Sequence, residues 1–320
     1  MRYYLGIDLG GTNIALGVVD EEYRLMKKAS TPTPKGADGV VLADVMAKAA
    51  RALVADMGLT LEQMEWIGVG APGHVDPETG AVIYACNLNL HNCPMGGLLE
   101  ERTGRPVYLG NDANAAAYGE ALAGAAKGTS SSVTITLGTG VGTGIVFNPK
   151  IHTGHHYCAG EGGHMVIVAG GRPCNCGRRG CLEAYASATG LIRSTREAME
   201  AHPESRLWEL AGGGLENVNG RTAWDAKDLG DPAAAKVVED YIGYLACGVT
   251  NIVNLLAPEM VCIGGGISAQ GEALLAPLRE QVAREQYDQS EQSTVVVAAT
   301  LGNDAGIIGA ALLGKQYQDE

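Results

Sequence analysis

The 320 residues suffice for two domains with a core each. With 46% apolar and 18% charged residues, the composition is that of a folded chain rather than a disordered one. A net charge of −13 without any Lys/Arg cluster removes the basic footprint that duplex binding needs. No apolar run approaches membrane length and no basic-then-apolar leader opens the sequence, so the expected location is the cytoplasm, with neither nucleic acid nor membrane as partner. Aromatic residues are scarce and Phe147 is the single Phe, so packing has to rely on aliphatic side chains.

Tyr3 to Asp8 reads as a short strand ending in Leu9-Gly-Gly-Thr-Asn13, and Ile14 to Val19 follows as a second strand. Strand, glycine turn, strand predicts a tight hairpin, where a Rossmann or P-loop unit would place a helix. Leu42, Val45, Met46, Ala49, Leu53 and Met57 share one helical face over 39–57, with Gly58 as the expected C-cap. Ile67 to Gly73 is a strand entering a glycine loop. Val107 to Asp112 is another strand, and Ala113 to Ala126 a helix. Val133 to Val146 repeats the opening arrangement, which suggests two related α/β halves. A Cys/Gly/Arg loop occupies 172–183, and Pro203 to Asp231 reads as a variable surface excursion. A long apolar helix covers 234–256, Met260 to Ile263 is a strand entering Gly264-Gly-Gly266, and a helix covers 272–285. A last strand spans Val295 to Ala299, and Asp304 caps a final helix to about residue 317.

Three glycine loops, each behind an apolar strand, suggest a nucleotide held between two domains. Backbone N–H groups at Gly10, Gly11, Thr12 and Asn13, and at Gly138, Thr139, Gly140 and Gly142, suit phosphate oxygens. Gly265 and Gly266 fall near the adenosine, and Asp8 can hold a hydrated Mg²⁺. Asn111-Asp112 stands at a strand-to-helix junction, where a carboxylate can align a substrate hydroxyl and accept its proton late in a loose transition state.

The most specific local pattern is His164-x9-Cys174-x-Cys176-x4-Cys181. Three thiolates and an imidazole suit tetrahedral, four-ligand, structural Zn²⁺, and Gly177 and Gly180 let the loop wrap it. His152, His155 and His156 remain alternative fourth ligands on spacing alone. The other five Cys are scattered, which favours metal chemistry over a disulfide framework. Glu161 and Glu183 flank the cluster, and carboxylates of this kind accept hydrogen bonds from paired sugar hydroxyls.

These residues resemble the ROK family (repressors, open reading frames, kinases). The resemblance rests on Leu5 to Asn13, Asn111-Asp-Ala-Asn, Gly138 to Gly142, Glu161-Gly-Gly-His164 and Cys174 to Glu183, in that order. It implies the two-domain, ribonuclease-H-like α/β fold of sugar kinases, actin and Hsp70, with an interdomain cleft. The small domain would be 1–118 plus 303–320, and the large one 119–302. The implied activity is ATP- and Mg²⁺-dependent phosphorylation of a hexose, with Asp112 as base. Gly73, Asn87, Asn111, Asp112, Glu161, His164 and Glu183 are the implied sugar contacts, and His164 is favoured as the zinc ligand. Similar glucokinases usually carry a Trp after the Asn-Leu of the sugar loop. Asn87-Leu-Asn-Leu-His91-Asn has no aromatic residue there, and Asn89 is the alternative to Asn87.

Glucose is the leading substrate, with N-acetylmannosamine, N-acetylglucosamine and fructose as alternatives. A sugar-sensing repressor is disfavoured by the charge and by a first hairpin that starts at Leu5. An actin-like assembly protein would have no use for the zinc loop. A homodimer or dimer of dimers is the expected assembly.

Overall fold

The computed structural model describes residues 2–289 and 294–318. β1 (Tyr3–Leu9) and β2 (Asn13–Asp20) form the antiparallel hairpin, in register from Tyr3↔Asp20 to Leu9↔Ile14. β3 (Leu25–Pro32) adds to the outer edge of β2. It carries two lysines and exposes five of its eight residues, as an edge strand does, so no apolar alternation announces it. α1 (Gly39–Ala55) begins where Asp38 accepts the Val41 N–H, and it buries Leu42, Met46, Ala50 and Leu53. Its C-cap is Asp56, while Gly58 takes φ +70° in the turn behind it rather than the expected cap position.

β4 (Met64–Ala71) pairs parallel to β1. β5 (His74–Asp76), β6 (Ala81–Ala85) and β7 (Leu90–Cys93) form a small antiparallel sheet, and α2 (Met95–Thr103) follows. β8 (Val107–Asn111) pairs parallel to β4 and passes directly into α3 (Asp112–Ala123), which is shorter than the helix expected to 126 because Gly124 ends it. β9 (Ser131–Leu137), β10 (Val141–Phe147) and β11 (Lys150–Ile151) come next.

Behind the Cys-rich loop run α4 (Glu183–Ala186), α5 (Ala188–Ala201), α6 (Leu207–Leu210) and α7 (Thr222–Asp228). Pro203–Asp231 is therefore no surface excursion. It buries Leu207 and Trp224, and Asp231 caps α8 (Pro232–Leu256) while accepting from Ser205 and Arg206. β12 (Met260–Gly264), α9 (Glu272–Glu285), β13 (Val295–Ala298) and α10 (Ala305–Leu312) complete the chain. Residues 313–317, expected to continue the last helix, tighten into a 3₁₀ turn.

The two large sheets are ordered β3-β2-β1-β4-β8 and β11-β10-β9-β12-β13. Third, second, first, fourth, last: both halves follow one plan, as the repeated hairpin motif implies. Contact density divides the chain into one unit up to Thr134 plus Gly144–Gly160 and the stretch from Ala299, and a second of Ile135–Thr143 plus Glu161–Ala298. The boundary expected at 118 falls inside α3, which lies whole in the first unit. No described helix is long and apolar enough to cross a membrane.

In the first unit, Leu5, Ile7, Leu9, Leu16, Leu42 and Met46 form the core between sheet and α1. α10 covers the sheet's other face at a distance that only glycine permits. A Cβ on Gly68 would stand 1.7 Å from the Ala310 carbonyl oxygen, and one on Gly309 1.6 Å from that of Ala115. The chain's return into this unit is fastened by Glu120, fully buried, whose carboxylate accepts the N–H groups of Ala125, Thr300 and Leu301. Gly309→Ala should lower unfolding stability by about 1–3 kcal/mol through overpacking against α3. Urea denaturation measures it, and an unchanged midpoint with unchanged slope would contradict this packing.

Candidate active site and zinc centre

The β1–β2 tip is shaped by Gly10, whose N–H donates to the Asn13 carbonyl at 3.0 Å and where a Cβ would come within 2.7 Å of that oxygen. Thr33 pins the tip from below: its Oγ1 donates to the Gly10 carbonyl at 2.6 Å and its N–H to that of Thr12 at 2.8 Å. Gly11, Thr12 and Asn13 are left exposed. Asn87, in the 3₁₀ turn Cys86–Leu88, lies beside this tip, because a Cβ on Gly11 would be 3.5 Å from its own.

At the end of β8 the Asn111 Oδ1 accepts the N–H groups of Ala113 and Asn114 at 2.9 and 3.1 Å, capping α3. Its Nδ2 donates to the Gly73 carbonyl at 3.0 Å. Both ends of this side chain thus help to fix the backbone that carries Asp112. Gly73 sits at φ +84°, and a Cβ there would meet the Tyr84 carbonyl at 2.1 Å. Asp112 accepts its neighbour's N–H at 2.8 Å in the first turn of the helix, where the dipole favours a carboxylate. Asp8 faces it. Burial, then the charge of Asp112, push the Asp8 carboxyl up to about 6. Two acids so placed repel one another when both are ionised.

In the second unit, His164, Cys174, Cys176 and Cys181 place their ligand atoms within 4.8 Å of one another. Cys176 Sγ is 3.7 Å from Cys181 Sγ, and Cys174 Sγ is 3.6 Å from His164 Nδ1. Tetrahedral zinc with bonds of about 2.3 Å to sulfur and 2.0–2.1 Å to nitrogen requires separations of about 3.8 and 3.5 Å. The donor set fits. A disulfide does not, since bonded sulfurs lie about 2.05 Å apart. Burial pushes the Cys174 thiol up to about 12, and a metal binding there would have to displace its proton. Of the alternative histidines, His155 and His156 lie ring to ring at 3.7 Å, and His152 lies against Phe147. They belong to the first unit, while all four atoms of the cluster belong to the second.

The cluster's loop is tied down by short backbone bridges, Val166↔Cys181 and Pro173↔Arg179. Gly177 and Gly180 take φ +86° and +82°, and a Cβ on Gly180 would lie 1.7 Å from the Val168 carbonyl. With Nδ1 toward the sulfurs, His164 turns Nε2 the other way, 3.9 Å from the exposed Glu161 Oε2. Two positioning groups were missed by sequence reasoning. Thr143 Oγ1 accepts the Gly162 N–H at 2.8 Å and seats the Glu161–His164 turn on β10, and Arg178 donates to the His164 carbonyl. A Thr inside a glycine-rich strand and an Arg in a polar loop carry no signal of such roles.

Glu183 opens α4, and its Oε2 accepts the Val141 N–H at 3.1 Å. Gly140 has to be glycine here, since a Cβ would stand 2.3 Å from that oxygen. Gly138 closes the same turn by donating to the Gly140 carbonyl, Thr139 is the residue between them, and Gly142 follows in β10. Gly265, at φ +82°, packs against the Leu137 backbone at the end of β9, and Gly266 is exposed beside it. The expected residues thus fall into two groups: Asp8, the first turn, Gly73, Asn87, Asn111 and Asp112 in one unit, and the second turn, the zinc cluster, Glu161, Glu183 and the Gly265 loop in the other.

The sequence matches the ROK family over residues 4–317. The chain belongs to the ROK family. A glucokinase of Halalkalibacterium halodurans is 38% identical over 99% of this chain and 96% of its own length. A glucokinase of Thermotoga maritima is 38% identical over 98% and 97%. Among solved structures, a ROK glucokinase of Streptomyces griseus in complex with glucose and AMPPNP is 36% identical, with a TM-score of 0.83 over 98% of this chain and 99% of that one. The architecture is accordingly the two-domain, actin-like α/β fold.

The folded Asp8 holds its proton more tightly than the unfolded carboxyl at 3.8, so the penalty of ionising it is absent below about pH 4 and grows as pH rises through about 6. Asp8→Asn removes that penalty. Without nucleotide or Mg²⁺, it should stabilise the protein by up to about 3 kcal/mol at pH 7.5 and by nothing near pH 4. Denaturation at the two pH values checks this, and an equal effect at both would contradict it.

Proposed function

We propose that this ROK protein is a sugar kinase that transfers the γ-phosphoryl group of ATP to a hexose, with glucose its substrate and the 6-hydroxyl its acceptor. The observation that carries this reading is the end-to-end match to glucokinases, one of them seen with glucose and AMPPNP.

Asp112 is the base. Its carboxylate, at the start of α3 where the helix dipole favours negative charge, aligns the acceptor hydroxyl and takes its proton late, because the transition state of phosphoryl transfer builds little negative charge on the attacking oxygen. Asn111 orients it through the cap and through Gly73. Glu161, His164 and Glu183 accept or donate to the remaining sugar hydroxyls. The Nδ1 of His164 faces the thiols, which leaves Nε2 for the sugar and selects the tautomer. Asn87 stands by the first glycine turn and completes the sugar set from that side.

Gly10, Gly11, Thr12 and Asn13, with Gly138, Thr139, Gly140 and Gly142, hold the phosphates, and Gly265 and Gly266 the adenosine side. Mg²⁺, when bound with ATP, neutralises phosphate charge, and Asp8 is the residue that would hold it through water. Zn²⁺ would be held by His164, Cys174, Cys176 and Cys181 and would be structural, since four protein ligands close the site.

The eight free cysteines suit a reducing compartment, consistent with the cytoplasm. Leu255 and Tyr287, 77% and 93% exposed, support assembly into a homodimer or a dimer of dimers.

Asp112→Asn should lower turnover by about 10²–10⁴-fold while glucose affinity, by calorimetry, stays within a few-fold, because the amide keeps the shape and loses the proton acceptor. Near-normal turnover would remove Asp112 from the mechanism. ADP release over a panel of glucose, fructose, N-acetylmannosamine and N-acetylglucosamine tests the substrate. The highest kcat/KM should be for glucose, and a preference for a 2-acetamido sugar would overturn that assignment.

A further inference from the structure

A run of seven residues, Glu183 to Thr189, joins the zinc loop to the Gly138–Val141 turn. Cys181 is a candidate metal ligand, and two residues later the Glu183 Oε1 lies 3.7 Å from Cys174 Sγ while its Oε2 accepts the Val141 N–H. Beyond α4, the Ala188 N–H donates to the Gly138 carbonyl at 2.9 Å, and Thr189 Oγ1 donates to the Thr139 carbonyl at 2.8 Å. Three peptide groups of the turn are thus held by one short segment.

That segment is itself immobilised. Ser187, 1% exposed, caps α5 through the Gly190 N–H, and the buried Tyr241 hydroxyl of α8 donates to the Ala186 carbonyl at 2.8 Å. Leu182 donates its N–H to Met165 and packs where Gly248 leaves room on α8.

The consequence follows from peptide geometry. In a planar trans peptide the N–H points opposite to the C=O. Fixing the carbonyls of Gly138 and Thr139 from the α5 side therefore aims the N–H groups of Thr139 and Gly140 the other way, as two preset donors. Preset donors cost nothing to align when an anion arrives.

We propose that Thr189 and Glu183 are positioning residues for the donor's phosphates, and that a metal in the Cys₃His cluster strengthens nucleotide binding through them without any sugar present. This rests on the reading of the Gly138–Gly140 turn as a phosphate cradle. Glu183 is a poor probe, because it is also an expected sugar contact. Thr189 is the clean one, since its only role in this scheme is the hydroxyl on Thr139.

The test is calorimetric titration of the zinc-loaded protein with Mg-ADP in the absence of sugar. Thr189→Val should weaken ADP binding by about three- to tenfold, the loss of one hydrogen bond. Thr189→Ser should restore it, and the KM for ATP should rise while that for glucose stays put. Chelating the zinc should weaken ADP binding by at least the same factor, with far-UV circular dichroism confirming that the fold is retained. Wild-type ADP affinity in Thr189→Val overturns the proposal. Gly140→Ala separates the two layers: if it loses ADP while Thr189→Val does not, the positioning role fails and the cradle stands. If both bind ADP normally, the cradle reading fails as well.

Discussion

Four ligand atoms gathered within 4.8 Å, three of them thiol sulfurs, are the constraint on which the second unit's chemistry depends. Their loop has almost no apolar residues with which to fold itself, and Arg178 and Arg179 in its middle are exposed. Burial pushes the Cys174 thiol up to about 12, and a metal of the kind the cluster's geometry fits would supply the loop's cohesion. With a metal bound, His164 and Glu183 would inherit fixed positions, the first as a proposed ligand and the second as the neighbour two residues beyond one. An ordinary surface Glu or His would spend rotamer entropy each time it met a sugar hydroxyl. In the proposed sugar site that cost would be met on folding.

The first unit solves a different problem by different means. It brings Asp8 and Asp112 together although each raises the cost of ionising the other. The arrangement holds because both backbones are over-determined. Asp8 ends a central strand beneath α10, where Gly306 leaves room for its carboxylate, and Asp112 starts a helix whose cap, Asn111, is anchored to a neighbouring strand's loop. Close glycine contacts between α3, α10 and the sheet keep that geometry from relaxing.

Much of this was legible because the chemistry sits in contiguous motifs. Cysteine spacing pointed to the cluster, and what spacing could not give is that the His164 ring lies within 4.8 Å of all three sulfurs. Both hairpins were readable because a glycine turn between two apolar strands rarely forms anything else. The elements that escaped lack such a signal: β3 is a polar edge strand, and β5, β6 and β7 are too short for alternation to register. The helices of 203–231 hide in a Gly- and Asn-rich sequence, and their burial is evident only from tertiary packing of Leu207 and Trp224. Asn111 illustrates the limit at the site itself. Its type suggested a sugar contact, and nothing in it announced that the same side chain caps α3 and ties that cap to Gly73.

A metal that shapes a sugar-binding surface without touching the reaction is the central claim. Equilibrium titration of glucose into the protein before zinc removal, after it, and after zinc is restored addresses this most directly. Affinity should collapse on removal and return in full with one equivalent of Zn²⁺ per chain. Undiminished glucose binding by fully demetallated protein would contradict the claim.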